Sequence, residues 1–123
     1  MIGITAYGAY YPRGRLSKKA IADANAWFDA GLNAHAKGER AFCNWDEDTI
    51  TMGIEAARDC LSSLPNPELS NLYFASTTFP FLDRQNSVLV SEALNLDSGV
   101  RTMDIAASQR VATSALIALL EAG

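Results

Sequence analysis

The run Val100-Arg-Thr-Met-Asp-Ile-Ala-Ala-Ser-Gln109-Arg-Val-Ala-Thr-Ser-Ala-Leu116 constrains this chain more than any other stretch. It opens as a short apolar-rich strand, passes through a turn of small residues, and becomes a helix built almost wholly of apolar and small side chains. A helix apolar on every face is a buried helix. The turn delivers Gln109 to the mouth of that helix, where aligned amide dipoles favour negative charge. Such a place suits a nucleophile, and a glutamine amide cannot attack an acyl group.

The rest of the chain alternates strand and helix signals. Residues 1–11 are β-rich and end at the turn signal Pro12-Arg13-Gly14. Ser17 is placed to cap a helix from Lys18 to about Ala30, with Ile21, Ala24 and Phe28 on one face. Residues 31–44 carry no clear period and read as a loop. Asp46-Glu47-Asp48 then precedes a helix over Thr49–Leu61, in which Ile50, Ile54, Ala57 and Leu61 recur at helical spacing. Pro65 and Pro67 close it. A strand over Leu72–Ser76, a helix over Ser87–Leu96, a strand over Val100–Ile105 and a helix from Gln109 to about Ala122 complete the reading.

Strands separated by helices indicate an α/β fold with a parallel sheet covered on both faces and right-handed crossovers. Three strands do not cover a helix that is apolar all round. The 123 residues are therefore expected to form one part of a larger unit, a fragment or one piece of an assembly.

Composition removes several function classes. At 49% hydrophobic and 20% charged residues the chain is globular. A net charge of −4 argues against nucleic-acid binding, and the only basic cluster, Arg13, Arg15, Lys18 and Lys19, reads as a solvated loop and helix start. No apolar run is long enough to span a bilayer, and the chain enters a strand directly without a signal-peptide pattern, so a cytoplasmic location is expected. Cys43 and Cys60 read as free thiols, Cys60 as a small hydrophobe on the apolar side of its helix. His35 is the single histidine, read as a surface loop residue, and no metal-ligand spacing is present. The acidic triplet is explained by helix capping.

Asp104–Leu116 resembles the nucleophile segment of the thiolase superfamily, nearest to its 3-hydroxy-3-methylglutaryl-CoA synthase and ketoacyl synthase III branch. Residues 2–13, Ile-Gly-Ile-Thr-Ala-Tyr-Gly-Ala-Tyr-Tyr-Pro-Arg, resemble the opening strand of those synthases. Gly38-Glu-Arg-Ala with Asp46-Glu-Asp-Thr-Ile-Thr-Met-Gly-Ile-Glu-Ala-Ala resembles their first long helix, and Leu72-Tyr-Phe-Ala-Ser-Thr-Thr their second core strand. The resemblance implies that residues 1–123 form the N-terminal βαβαβ part of a thiolase-like domain, within a five-layered α/β/α/β/α and usually dimeric arrangement. The family's catalytic histidine and the partner completing its oxyanion hole have no counterpart in these residues.

Two positions depart from the family. Gln109 stands where the family carries its acylated cysteine, which the helix mouth would activate as a thiolate. Thr77 stands where the synthases carry a catalytic glutamate, and a hydroxyl cannot shuttle protons near neutral pH. The ordinary synthase reaction is not expected. Three readings of Gln109 stay open: a polar remnant in an inactive relative, an amide that donates to a thioester oxygen without forming an acyl-enzyme, or a position misaligned with the true nucleophile. Ser76, Thr78 and Phe79 follow a strand's carboxyl end, where open α/β sheets bind ligands, so they are candidate substrate contacts. Phe79 reads equally as pocket wall or subunit contact. Arg110 either anchors a carboxylate or phosphate, or pairs with Asp104.

The resemblance implies acyl-CoA or acyl-thioester metabolism with acyl-CoA as substrate and no covalently bound cofactor or metal. The competing class is a non-catalytic scaffold or regulatory subunit that pairs with an active thiolase-like chain as a homo- or hetero-oligomer. A zinc-ribbon/OB-fold partner follows by analogy alone.

Overall fold

A computed structural model describes residues 3–122. Within it the chain divides into two compact units, one of residues 1–10 and 48–123 and one of residues 11–47.

The smaller unit is built on an antiparallel pair. Strand β1 (Gly14–Ser17) lies against β2 (Glu39–Phe42), with Leu16 opposite Arg40 and Ser17 opposite Glu39. Helix α1 (Lys18–Asn25) follows β1 directly, with Ser17 in the N-cap position but no side-chain cap bond. It is shorter than its sequence pattern suggests. Asn25 donates its side-chain amide to the Ile21 carbonyl, and its own carbonyl accepts from both Phe28 N–H and Asp29 N–H, which turns the chain. Phe28 is consequently 78% exposed rather than part of the helix's inner face. Asp29 then accepts from Gly31 N–H at 2.7 Å and starts a 3-10 helix over Ala30–His35. The stretch expected to be a loop thus holds a short helix and a strand. Neither leaves a strong period: a 3-10 turn is brief, and all four residues of β2 are exposed.

The larger unit carries the α/β character. Helix α2 (Thr49–Ser62) begins at a capping box: Asp48 accepts from Thr51 N–H at 2.8 Å while Thr51 Oγ1 accepts from Asp48 N–H at 2.8 Å. Strand β3 (Asn71–Ala75) pairs in parallel with β4 (Arg101–Ile105), Phe74 beside Asp104 and Ala75 beside Ile105. Helix α3 (Asn86–Ala93) connects them, and α4 (Val111–Ala122) follows β4. Helix α3 stops short of Leu96 because Asn95 takes a positive φ of 55°. Leu96 N–H then reaches Ser91 O and Asn95 N–H reaches Glu92 O, the crossed bonds of a Schellman stop.

Strand alternation puts Phe74 and Asp104 on one side of the pair. Phe74 meets α2 where only a glycine fits, since a Cβ on Gly53 would lie 2.9 Å from its ring. The opposite side presents Tyr73 and Met103, both partly exposed.

Three expectations are corrected. Residues 3–11 form no strand, while Met1 and Ile2 lie outside the described residues. The stretch at Gly8 and Ala9 runs against α2 instead: a Cβ on Gly8 would sit 2.3 Å from Cys60 N, and Ala9 N–H donates to Asp59 at 3.0 Å. The parallel sheet among the described residues has two strands, not three. Helix α4 starts at Val111, past Gln109. Its apolar faces lack cover among the described residues, Leu116, Ile117, Leu119 and Leu120 being 40 to 48% exposed, in keeping with the expectation that this helix needs more of a larger unit to cover it. Among its described side chains only Val111, at its start, is buried.

Candidate functional site

Parallel pairing fixes where the candidate residues lie. Because Ala75 and Ile105 are neighbours, and Ser76 N–H donates to Ile105 O at 3.1 Å, both loops leave the sheet at one edge. Residues 76–79 and 106–110 therefore share the carboxyl edge of β3 and β4, the side on which open α/β sheets hold ligands.

The first loop is fastened. Ser76 is buried, and its Oγ accepts from Thr78 N–H at 3.1 Å and lies 3.4 Å from Thr78 Oγ1. The Thr78 carbonyl accepts from Thr49 Oγ1 at 2.6 Å, so the first turn of α2 pins the loop. Phe79 lies against Phe74, ring centroids 5.3 Å apart and tilted by 54°. That contact places Phe79 in the packing of its own unit. Thr77, between these anchors, is exposed.

The second loop is open. Gln109 and Arg110 are exposed in a turn closed by Val111 N–H to Ser108 O at 3.0 Å and Arg110 N–H to Ser108 Oγ at 3.3 Å. Gln109 thus stands immediately ahead of α4, as its sequence position requires. The alternative pairing of Arg110 with Asp104 is not formed among the described residues. Asp104 is engaged elsewhere.

Asp104, expected only as a possible partner of Arg110, has a different task. Its carboxylate accepts from Asn86 N–H at 2.6 Å, Asn86 Nδ2 at 2.9 Å and Ser87 N–H at 2.7 Å, so it caps α3 from a neighbouring strand. The nominal cap residue, Gln85, instead donates to Thr102 O at 2.7 Å and leaves that role vacant. Asn86 extends the device, accepting from Phe81 N–H at 3.2 Å and donating to Phe81 O at 3.0 Å. Burial disfavours the charged carboxylate, but the hydrogen bonds from Ser87 and Asn86 outweigh it and hold Asp104 below the ordinary carboxylate range. The fully buried Ser87 hydroxyl faces the same group outside strict hydrogen-bonding geometry. An acid inside an apolar strand, Met103-Asp104-Ile105, was the one available signal.

Cys60 lies on α2, half-buried near Gly8 and not at this edge, and Cys43 is exposed in the smaller unit. His35 ends the 3-10 helix of that same unit. An open cleft of about 830 Å³ lies at the amino-terminal edge of β3 and β4, between Ser70, Asn71, Asp97 and Arg101, and does not involve Gln109 or Thr77. No helix is long and apolar enough to cross a membrane among the described residues.

The comparisons with known proteins agree with this architecture. The chain is 32% identical, over 97% of its length, to hydroxymethylglutaryl-CoA synthase of Thermococcus sibiricus, of which it covers 33%. Beta-ketoacyl-[acyl carrier protein] synthase III of Thermus thermophilus superposes with a TM-score of 0.78 at 25% identity, covering 99% of this chain and 39% of that one. The HMG synthase of the curacin pathway, solved with an acetyl donor carrier protein, gives a TM-score of 0.83 at 18% identity over 98% of this chain and 30% of that one. No protein-family model matches. The chain is thiolase-like in fold. In sequence it is similar to hydroxymethylglutaryl-CoA synthases, and it spans about a third of the length of the curated relatives it matches.

Proposed function

We propose that the chain supplies one wall of an acyl-thioester site in a hydroxymethylglutaryl-CoA synthase-like protein that handles acyl-CoA without a covalent acyl-enzyme. The observation that carries this reading is the place of Gln109: exposed, immediately ahead of α4, at the sheet edge it shares with residues 76–79. The family's nucleophile is a cysteine at the position that Gln109 aligns with. A glutamine there offers an amide donor in place of a thiolate, and the amino terminus of the 12-residue α4 adds its dipole.

Such a site favours reactions that build charge on the thioester oxygen. In decarboxylation of a β-carboxyacyl thioester, the bond to the carboxylate breaks and CO2 leaves. The electron pair moves onto the thioester oxygen as an enolate, and the carbon then takes a proton from water. Condensation and cleavage in place pass through the same charge. Gln109 is the oxyanion donor in this scheme, Thr77 a substrate-contacting hydroxyl, and Ser76, Thr78 and Phe79 the support beneath it. Arg110 holds a substrate carboxylate or phosphate.

The test is incubation of the full-length protein with acetyl-, acetoacetyl- and malonyl-CoA while following free CoA, CO2 and protein mass. Turnover without a mass shift is expected, falling roughly a hundredfold in Gln109→Ala, the scale of one lost oxyanion donor. An acyl adduct on Cys43 or Cys60 overturns the scheme.

A second reading draws on the exposed apolar faces of α4. In it the protein is a non-catalytic subunit paired with an active thiolase-like chain, with a zinc-ribbon/OB-fold protein as a further partner and the cytoplasm as its place. No turnover with any of the three thioesters, together with co-purification of a second thiolase-like chain, selects this reading.

A further inference from the structure

The smaller unit contains a cleft that plays no part in the site above. Lys18, Ile21 and Ala22 stand at the three- and four-residue spacing that shares one face of α1. Leu32 and His35 are three apart in the 3-10 helix, where three residues complete a turn, so they also share a face. Together with Arg40 of β2 these residues line an open cleft of about 200 Å³.

Its chemistry is two-sided. Ile21, Ala22 and Leu32 make an apolar floor, with Ala22 buried. Lys18, His35 and Arg40 make a basic rim, and no carboxylate lines the cleft. The side chains of these three form no hydrogen bond or ion pair among the described residues. Neighbouring acids are engaged elsewhere: Asp23 with Lys19 at 2.8 Å, and Asp29 with Gly31 N–H at 2.7 Å. Glu39 precedes Arg40 in an extended strand and so takes the opposite face.

We propose that this cleft is a binding site for a small organic anion: one oxyanion head, carboxylate or phosphate, on a short apolar stem. The head meets Lys18 and Arg40, with His35 as a third nitrogen, and the stem covers Ile21, Ala22 and Leu32. The volume sets the size. At about 30 Å³ per water it displaces roughly six or seven waters, which suits a four-carbon stem with its head group.

The test is an NMR titration of the intact chain, following the Ile21 and Leu32 methyl groups and the His35 ring. Butyrate and butyl phosphate are the charged probes, butyramide and butanol their uncharged counterparts, and inorganic phosphate the head without a stem. Saturable shifts confined to these residues are expected for the charged probes. The tighter of the two identifies the head, and inorganic phosphate binds more weakly than butyl phosphate. Lys18→Gln and Arg40→Gln are each expected to weaken binding about tenfold, the scale of one charge-assisted contact. The proposal is overturned if neither acid gives a saturable shift, if the uncharged probes bind equally, or if both substitutions leave affinity unchanged. Should Arg40→Gln disrupt the β1–β2 pair, Lys18→Gln and the probe comparison on the unaltered chain decide alone.

Discussion

The larger unit contains the same local plan twice, a parallel strand followed by a loop and a helix, and the two copies end in opposite surroundings. After β3 the chain is held at every step: Ser76 and Thr78 bond each other, Thr49 pins the Thr78 carbonyl, and Asp104 caps α3 across the sheet. Asn86, Ser87, Val90 and Ser91 are buried in that helix. After β4 the loop is exposed, and α4, far more apolar in sequence than α3, buries only Val111 among its described side chains. Apolar content alone therefore does not bury a helix. Burial needs a facing element, and the buried helix of the pair is held by polar side chains reaching from other elements.

Substitutions can break this contrast, beginning with its strongest member. Asp104→Ala leaves three donors on Asn86 and Ser87 without their acceptor and should cost about 4 kcal/mol in urea unfolding. Val90→Ala, at a position 2% exposed, should cost about 2 kcal/mol, whereas Leu120→Ala in α4 should stay within about 0.5 kcal/mol despite removing a larger group. Equal costs at the two positions would mean that α4 is covered in solution. Loss of the capping box in Asp48→Ala should remove about 1 kcal/mol and leave the α3 and α4 comparison untouched.

The smallest effect is a pH dependence. The Asp104 carboxyl is held below its unfolded value, so its stabilisation is complete above the unfolded carboxyl range near about pH 4 and is lost as pH falls through the lower folded value. The stability gap between the parent chain and Asp104→Asn should accordingly narrow on acidification below about pH 4. A gap independent of pH would show that the carboxylate charge contributes nothing to the cap.

Much of this was legible beforehand because the signals are local. The capping triplet, the apolar repeat of α2, the prolines after it and the two short apolar strands each act within a few residues, and each element lies where its pattern puts it. The turn at Gln109 was legible for the same reason. The misses have a different character. The end of α1 depends on Asn25 turning its amide back on Ile21, and the end of α3 on Asn95 adopting a left-handed backbone. The β1–β2 pair is set by partners more than twenty residues apart, and no β-period marks β2. The capping role of Asp104 toward Asn86 was missed because a side chain that caps a helix from another strand leaves no spacing rule.

The sequence by itself determined the alternation of strand and helix, the family resemblance, and the presence of glutamine at the mouth of an apolar helix. These follow from side-chain periodicity and backbone preference, which each residue carries wherever the chain goes. Tertiary structure alone decided that the stretch at Gly8 and Ala9 runs against α2 instead of pairing and that Asp104 secures α3. Those outcomes depend on which groups meet across the fold, where a buried donor requires an acceptor and an apolar face is covered only by another surface.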